Sequence, residues 1–371
     1  MTASRRINLR KPTPTASKSP YYNGNVKSWD VIIAGAGIIG VSLALELRER
    51  GASVLVLDRG EPGNEASSAA AGMLAPTDPE TPELLRPLAM ESARMFPAFV
   101  HKLESAGNTQ VDFRRFGTIA FLEDEVPPGE YRNLSPAELQ RIEPSIRSSG
   151  RPAFFVQEDS VDPLLLMQAA LTAAQNRRVE IRGHIAVEEM RARGNAVEVV
   201  TQTGTFSAAC AIDCRGAWSG APVRPRKGQM LYVLPQAALL QHVLRTPEAY
   251  LVPRSSGKVL IGATVEDVGF DKSVDPSAIR QLLHDAARYL PELLSAPITQ
   301  SWAGLRPGTP DDLPIIGPTD IPRVFVATGH FRNGILLAPV TAQIMVELVQ
   351  GRPSPQDIRA FSLHRFRNTQ K

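Results

Sequence analysis

Residues 30–58 read DVIIAGAGIIGVSLALELRERGASVLVLD and contain three successive patterns. The apolar run at 30–35 predicts a buried strand, and the apolar residues after the glycines recur at helical spacing until Gly51. The run at 53–58, rich in valine and leucine, predicts a second buried strand. Together these patterns predict a βαβ unit with a parallel sheet.

Three glycines in this unit, Gly35, Gly37 and Gly40, are spaced as G-x-G-x-x-G, and Asp58 ends the second strand. The motif alone is weak, because glycines also cluster in ordinary turns. Here it follows a strand and opens a helix, so the backbone can approach a pyrophosphate at the helix N-terminus. A carboxylate at the position of Asp58 accepts hydrogen bonds from a ribose. The unit predicts a dinucleotide site and leaves open whether the dinucleotide is NAD or FAD.

The composition is that of an ordinary globular protein. Of 371 residues, 43% are hydrophobic and 21% are charged. The longest apolar run, residues 31–45, is too short to span a bilayer, so we expect no membrane span and a cytoplasmic location. Cys210 and Cys214 fit neither a zinc nor a redox spacing, and we expect two reduced thiols and no metal site.

Basic residues are concentrated at the N-terminus. Residues 1–29 contain six Lys or Arg and no acid, whereas the net charge of the whole chain is only +3. The remainder is slightly acidic, which argues against a nucleic-acid partner. Residues 1–28, rich in Ser, Thr and Pro, are predicted to form a disordered basic tail, and a transit peptide is the alternative.

Beyond residue 58 the patterns predict a mixture of helices and short strands. A hairpin is expected around Ser256 and Gly257, and the proline-rich segment 221–230 predicts a crossover. Helical periodicity predicts helices over 85–107, 162–176, 276–290 and 334–351.

Five further motifs carry a resemblance to a known family: SSAAAGMLAP (67–76), RGAWSG (215–220), YLVPRSSG (250–257), GLRPGTPDDLPIIG (304–317) and GHFRNGILLAP (329–339). The sequence resembles the FAD-dependent amine oxidoreductases of the D-amino acid oxidase superfamily, and most closely their glycine oxidase branch. This resemblance implies an α/β fold with a Rossmann-type FAD-binding domain and a second, β-rich substrate domain. We expect the FAD-binding domain over 29–104, 152–222 and 300–371, and the substrate domain over 105–151 and 223–299.

The resemblance also implies which residues bind FAD without a covalent bond. They are the dinucleotide residues named above, a loop that follows the phosphates towards the flavin, a backbone contact to the adenine, a turn that closes over the cofactor, and a segment at the flavin pyrimidine edge. These further positions are Ser67, Ser68, Ala70, Ala71, Gly72, Met73, Leu74, Val187, Gly216, Trp218, His330, Arg332, Asn333, Gly334, Ile335 and Leu336.

Arg306 matches the arginine that binds the substrate carboxylate in this family, and its apolar neighbours require it to have an anionic partner. A structural ion pair with Asp311 or Asp312 is the alternative. Tyr250 matches a tyrosine of the substrate site, or is an ordinary strand aromatic. Arg332 is a further candidate for substrate contact, although a role at the cofactor is favoured.

Two positions depart from the resemblance. Val265 stands where relatives can carry a longer methionine, which predicts a wider substrate site. Arg215 stands where relatives usually carry a small neutral residue, and the sequence offers no reason for it.

The function implied is oxidative deamination of glycine, or of another small amino acid or secondary amine such as sarcosine. The products are the oxo acid and an amine, with dioxygen reduced to peroxide, and the family serves thiamine biosynthesis. A homo-oligomer is expected by resemblance. The alternatives are a dehydrogenase that uses an acceptor other than oxygen, and a flavin-binding subunit without catalytic activity.

Overall fold

The computed structural model describes residues 28–122, 131–147 and 150–369. The predicted basic tail, residues 1–28, lies outside the described residues except for Ser28, which begins the first strand. The helices in the described ranges are α1 (Ile38–Glu49), α2 (Ala66–Ala69), α3 (Arg86–Gly107), α4 (Pro136–Ile142), α5 (Pro163–Asn176), α6 (Pro276–Ala287) and α7 (Ala338–Val349).

The strands in the same ranges form three sheets. They are β1 (Ser28–Ala34), β2 (Val54–Leu57), β3 (Met73–Leu74), β4 (Phe113–Arg114), β5 (Thr118–Phe121), β6 (Arg132–Leu134), β7 (Ala153–Val156), β8 (Asp159–Val161), β9 (Glu180–Arg182), β10 (Val187–Arg193), β11 (Ala196–Thr201), β12 (Gly204–Asp213), β13 (Arg224–Val233), β14 (Val243–Arg245), β15 (Tyr250–Pro253), β16 (Val259–Gly262), β17 (Ile298–Gly308), β18 (Ile315–Pro318) and β19 (Val324–Thr328).

The first sheet is parallel at its centre, in the order β12-β1-β2-β9, with β19 also parallel to β12. Strand β1 is buried on both faces, as in parallel sheets covered on both sides. Val31 and Ile33 pack in the cluster that includes helices α1, α3, α5 and α7. Ile32 packs in a separate cluster on the opposite face, under β10 and β11. The predicted βαβ unit is present, and its glycine turn lies at the carboxyl end of β1.

The second sheet has the order β17-β13-β16-β15-β14-β5-β7-β6 and is mostly antiparallel. Its apolar face packs with α6 in a cluster of its own, in which Tyr289 and Phe121 are fully buried with ring centroids 4.9 Å apart. A third, three-stranded sheet has the order β3-β8-β4. Its strand β3 contains Met73 and Leu74, which end the loop predicted to lead from the phosphates towards the flavin. The predicted hairpin at Ser256 and Gly257 joins β15 to β16.

The crossover predicted for residues 221–230 was wrong. Most of that segment belongs to β13, which pairs with β17 along its whole length. The register places Pro225 opposite Pro307. Residues that face each other on antiparallel strands form hydrogen-bonded and non-hydrogen-bonded pairs in alternation. In a non-hydrogen-bonded pair neither residue donates its N–H to the other strand. The two prolines therefore occupy one such pair, and the strand tolerates them.

The long helix predicted over 334–351 begins later than expected. A 3₁₀ turn, Phe331–Asn333, and a further turn precede α7, which starts at Ala338. Pro339 fixes this start, because a proline fits the first turn of a helix, where no intrahelical N–H bond is required.

The division into two domains stays a prediction. Strands β7 and β17 hydrogen-bond within the second sheet, although the predicted boundaries assign residues 153–156 and 300–308 to the FAD-binding domain. We propose that both strands belong to the substrate domain.

Candidate cofactor and substrate site

A cavity of about 1120 Å³ extends from the carboxyl ends of β1 and β2 to strands β13, β15 and β17 of the second sheet. One end is lined by the glycine turn and Asp58, and the other by Arg306 and Tyr250. Both groups of residues predicted from the sequence, for a dinucleotide and for a carboxylate, therefore line one continuous space. We call these the nucleotide end and the substrate end.

The glycines of the turn are required by close backbone approach. Gly35 has φ +106°, and a Cβ there would lie 2.3 Å from the carbonyl oxygen of Cys214. A Cβ on Gly40 would lie 2.0 Å from the carbonyl oxygen of Gly35. Gly40 itself lies behind the cavity wall and lets helix α1 start directly against β1. The backbone thus forms the cradle that a pyrophosphate at a helix N-terminus needs.

Asp58 is fixed at the edge of this cradle. Its Oδ2 accepts a hydrogen bond from the N–H of Ala36 at 2.7 Å, and its Oδ1 accepts one from the N–H of Gly60 at 2.9 Å. Burial raises the pKa of the Asp58 carboxyl, against these two hydrogen bonds, which favour the ionised form. The carboxylate is thereby held in one orientation on the cavity wall, where the hydroxyls of a ribose are its natural partners.

Helix α2 and the loop after it join the two ends. Ser67 faces the glycine turn, and its Oγ accepts a hydrogen bond from the N–H of Ile38 at 2.9 Å. Ser68 instead donates to the carbonyl of Gly63 at 2.5 Å and does not line the cavity. Gly72 has φ +77°, and a Cβ there would lie 1.9 Å from the carbonyl oxygen of Val161.

Arg215 has a structural role that the sequence did not indicate. Its Nε and Nη2 bind the Asp213 carboxylate at 3.0 and 2.8 Å, and its Nη1 donates to the carbonyl of Val187 at 2.9 Å. Arg215 therefore fixes the 215–218 turn against the start of β10. The guanidinium of Arg59 lies 4.5 Å from the ring centroid of Trp218, which closes this side of the nucleotide end.

Most residues predicted to contact cofactor or substrate line the cavity. Those that do are Gly35, Gly37, Asp58, Ser67, Ala70, Ala71, Gly72, Met73, Val187, Gly216, Trp218, Tyr250, Arg306, His330, Arg332, Asn333, Gly334 and Ile335. Leu74 and Leu336 do not, because both are buried in the core between the first sheet and its helices. Their neighbours Met73 and Ile335 line the cavity instead.

His330 is buried and neutral. It is 3% exposed, its Nε2 lies 3.2 Å from Oγ1 of Thr341, and burial lowers its pKa to about 3. A group with this pKa is a poor proton acceptor near neutral pH. Arg332, two residues further on, forms an ion pair with Glu80 across the cavity wall, and burial lowers the pKa of its guanidinium.

Arg306 lies at the substrate end without an anionic partner among the described residues. Its Nη1 donates to the carbonyl oxygens of Thr264 at 3.1 Å and of Lys227 at 3.5 Å. Asp311, one predicted partner, is held by Arg365 at 2.7 Å. The guanidinium occupies space left by Gly228, since a Cβ there would lie 2.3 Å from Arg306 Nη1. Sequence reasoning missed Gly228, although the RKGQM run contains it.

Tyr250 lies beside Arg306. Burial raises the pKa of its phenol, while the nearby positive charge of Arg306 lowers it. Its hydroxyl is 3.5 Å from the sulfur of Met230. A neutral phenol next to a guanidinium can donate a hydrogen bond to an anion that binds between them.

A buried ionic cluster next to Tyr250 was not predicted. Arg245 pairs with Tyr250 across β14 and β15, is 9% exposed and lines the cavity. It binds the carboxylates of Asp78 and Glu158, the latter at 2.8 Å. Burial raises the pKa of the Glu158 carboxyl. Arg245 is thus neutralised within the protein, unlike Arg306.

Comparison with known proteins places this site in a family. The model of the family described as FAD dependent oxidoreductase matches residues 30–348. The chain belongs to this family. The cofactor of the site is FAD, and the predicted fold and cofactor are confirmed. The cradle of backbone groups, the fixed carboxylate of Asp58 and the continuous cavity from the glycine turn to Arg306 all fit an extended FAD.

Individual relatives are similar over most of this chain. Glycine oxidase of Geobacillus kaustophilus is 33% identical over 91% of this chain and 97% of its own length. Its crystal structure superposes with a TM-score of 0.86, at 31% identity, over 91% of this chain and 98% of that one. Bifunctional protein ThiO/ThiG of Trichormus variabilis is 36% identical over 91% of this chain, and this chain spans only 55% of its length.

Two further observations concern the described ranges only. Every helix in them is either too short or too polar to cross a membrane. They contain no group of three His, Cys, Asp or Glu side chains arranged to hold a metal ion.

Proposed function

We propose that this FAD-dependent oxidoreductase oxidises the amine of a small amino acid or secondary amine, such as glycine or sarcosine. Arg306 carries the proposal. It is a cation on the wall of the substrate end, and within the described residues its hydrogen-bond partners are neutral: the carbonyl oxygens of Lys227 and Thr264 and the phenol of Tyr250. An arginine whose planar donors face a cavity is suited to a carboxylate, which it can bind through two hydrogen bonds.

Arg306 and Tyr250 orient the substrate. The guanidinium would hold the α-carboxylate, and the phenol would donate a second hydrogen bond to it or cap the site. A carboxylate fixed at the substrate end would leave the amine and Cα in the same cavity as residues 70–73, which we call the flavin loop. Holding the reacting groups in this relation supplies much of the rate enhancement.

FAD, when bound, supplies an acceptor for two electrons. Oxidation of the neutral amine would remove a hydride from Cα and form a C=N bond, and water would convert the imine to the oxo acid and an amine. Dioxygen would take up the two electrons with two protons as hydrogen peroxide. No residue of the chain is required as a base, which agrees with the low pKa of His330.

Anaerobic spectroscopy of the purified holoenzyme tests the proposal. Glycine and sarcosine should bleach the flavin absorption, and methylamine, which lacks a carboxylate, should not. Admission of air should restore the oxidised spectrum and yield one peroxide per flavin. Bleaching by methylamine at the same rate would contradict the carboxylate site, and a spectrum that stays reduced in air would indicate a dehydrogenase.

The cellular role is a further part of the proposal. The similarity to proteins named ThiO/ThiG supports a product that is used in thiamine biosynthesis. A cytoplasmic homo-oligomer that binds dioxygen and a small amino acid, and no nucleic acid, remains our proposal for its partners. Light scattering of the purified protein measures the oligomeric state.

A further inference from the structure

Arg254, in the YLVPRSSG motif, is a buried arginine that the proposed reaction does not use. It is 4% exposed and follows β15 in the second sheet. Its Nη2 donates to the carbonyl of Ala71 at 2.6 Å and its Nη1 to the carbonyl of Val161 at 3.0 Å. Its Nε donates to the hydroxyl of Tyr232 at 3.3 Å and lies 3.8 Å from Oδ2 of Asp162, with which Arg254 forms an ion pair. Burial of a guanidinium is costly, so these bonds must be well formed.

The hydrogen bond from Arg254 to Ala71 fixes the orientation of the peptide between Ala71 and Gly72 in the flavin loop. Ala71 and Gly72 line the cavity and Arg254 does not, so the guanidinium approaches the loop from behind. In a trans peptide the C=O and N–H point in opposite directions. Because Arg254 holds the carbonyl of Ala71, the N–H of Gly72 is directed towards the cavity.

Trp302 fixes the orientation of a neighbouring peptide, the one between Ala69 and Ala70. Its Nε1 donates to the carbonyl of Ala69 at 3.2 Å, and Trp302 also lies behind the cavity wall. The N–H of Ala70 is therefore directed away from the indole. Among the described residues, neither the N–H of Ala70 nor that of Gly72 has a hydrogen-bond acceptor. Two peptide donors of the flavin loop are thus held ready for a ligand.

We propose that Arg254 and Trp302 are positioning residues that set the reduction potential of the bound FAD. They orient the two peptides so that their N–H groups donate to the cofactor. Fixed donors stabilise negative charge, and the reduced flavin carries more of it than the oxidised flavin. The inference rests on the FAD site and not on the identity of the amine.

The two-electron midpoint potential, measured against reference dyes without any amine, tests this proposal. Arg254→Met removes the donors and keeps an unbranched side chain in place of the aliphatic part of the arginine. We expect the reduction equilibrium to weaken about tenfold, which lowers the potential of a two-electron couple by about 30 mV. Trp302→Phe keeps a ring against Tyr232 and should lower the potential by a smaller amount.

Two variants separate this effect from loss of packing or charge. Tyr232→Phe removes one partner of Arg254 Nε and leaves the bonds to Ala71 and Val161 and the ion pair with Asp162 in place, so the potential of this variant should equal that of wild type. Arg254→Lys retains the positive charge and one donor, and its potential should lie between those of wild type and Arg254→Met. FAD affinity is measured in parallel. If Arg254→Met does not retain FAD, the Lys and Phe variants decide, and wild-type potentials in Arg254→Lys and Trp302→Phe would overturn the proposal.

Discussion

The nucleotide end and the substrate end of the cavity are built by different means. At the nucleotide end, the backbone of one βαβ unit forms the cradle, and the same backbone fixes the carboxylate of Asp58 through two N–H groups. At the substrate end, side chains come from β13, β15 and β17, which are distant in sequence. The first design depends on the absence of Cβ atoms, and the second on a few long side chains.

Because of this difference, we expect substitutions at the two ends to affect different properties of the enzyme. Changes at the nucleotide end should alter how tightly FAD is held and leave the chemistry of the bound flavin intact. Changes at the substrate end should alter turnover and leave FAD content unchanged. A substitution that alters both properties would show that the two ends are coupled.

The largest effect is expected for Arg306→Leu. A substrate carboxylate would then be desolvated without a partner, and kcat/KM should fall on the order of 10³-fold or more. Arg306→Lys keeps the charge but loses the planar pair of donors, so the decrease in kcat/KM should be smaller than in Arg306→Leu. The rate of anaerobic flavin reduction by glycine measures both.

FAD content and melting temperature are the controls for Arg306, since its partner is the substrate rather than a protein carboxylate. Reduction of the variants at the wild-type rate would exclude Arg306 as the carboxylate anchor. A lower melting temperature with unchanged turnover would instead indicate a structural role.

Asp58→Ala should weaken FAD binding and leave the reactivity of the bound flavin unchanged. Hydrogen bonds to an ionised acceptor are worth about 1.5–3 kcal/mol, so the FAD dissociation constant should rise about 10- to 100-fold. Asp30→Ala is the matched control, because Asp30 accepts from the N–H of Ser53 at 2.7 Å at the opposite end of β1. Equal FAD affinities in the two variants would refute the ribose contact.

The nucleotide end could be predicted from sequence because it is local. Gly35, Gly40 and Asp58 belong to one strand–helix–strand segment, and their spacing alone places them around a helix N-terminus. The geometry then follows from steric limits that apply to any chain. The resemblance does not distinguish neighbouring positions that face opposite sides of a loop or turn, and the cofactor contacts proposed for Leu74 and Leu336, which lie in the core, stay predictions.

The substrate end could be predicted only in part. Arg306 stood out as a charge in apolar surroundings, but its acceptors, the carbonyls of Lys227 and Thr264, depend on the pairing of β13 with β17. The prolines at 221–230 obscured that strand. The cluster around Arg245 joins side chains from three separate regions of the chain, and no local pattern indicates such a contact.

His330, which lies in the cavity wall between the two ends, should make the folded state sensitive to acid. Its pKa is lowered from 6.5 to about 3 in the folded protein, so below pH 6.5 only the unfolded chain takes up the proton. Stability is therefore complete above pH 6.5 and is lost as the pH falls towards 3. From pH 7.5 to 5 this group should lower the unfolding free energy by about 2 kcal/mol.

Urea unfolding of wild type and His330→Gln at both pH values, with FAD saturating, measures this contribution. The loss of stability on acidification should be smaller in the variant by about the same amount. Equal losses in the two proteins would show that His330 is not buried as a neutral group.

The smallest effect is expected for Val265→Met, which concerns the width of the substrate end. Val265 lines the cavity and is 42% exposed, so the longer side chain can enter the space beside Arg306. Filling space of one or two heavy atoms changes discrimination by about 1–3 kcal/mol at most. We expect kcat/KM for N-ethylglycine to fall about tenfold relative to glycine.

Val268→Met is the matched control, since Val268 is on the same loop, is 46% exposed and does not line the cavity. A wild-type ratio of the two substrates in Val265→Met would show that this residue does not limit the width of the site, and the same shift in Val268→Met would show that the effect is not specific to the cavity wall.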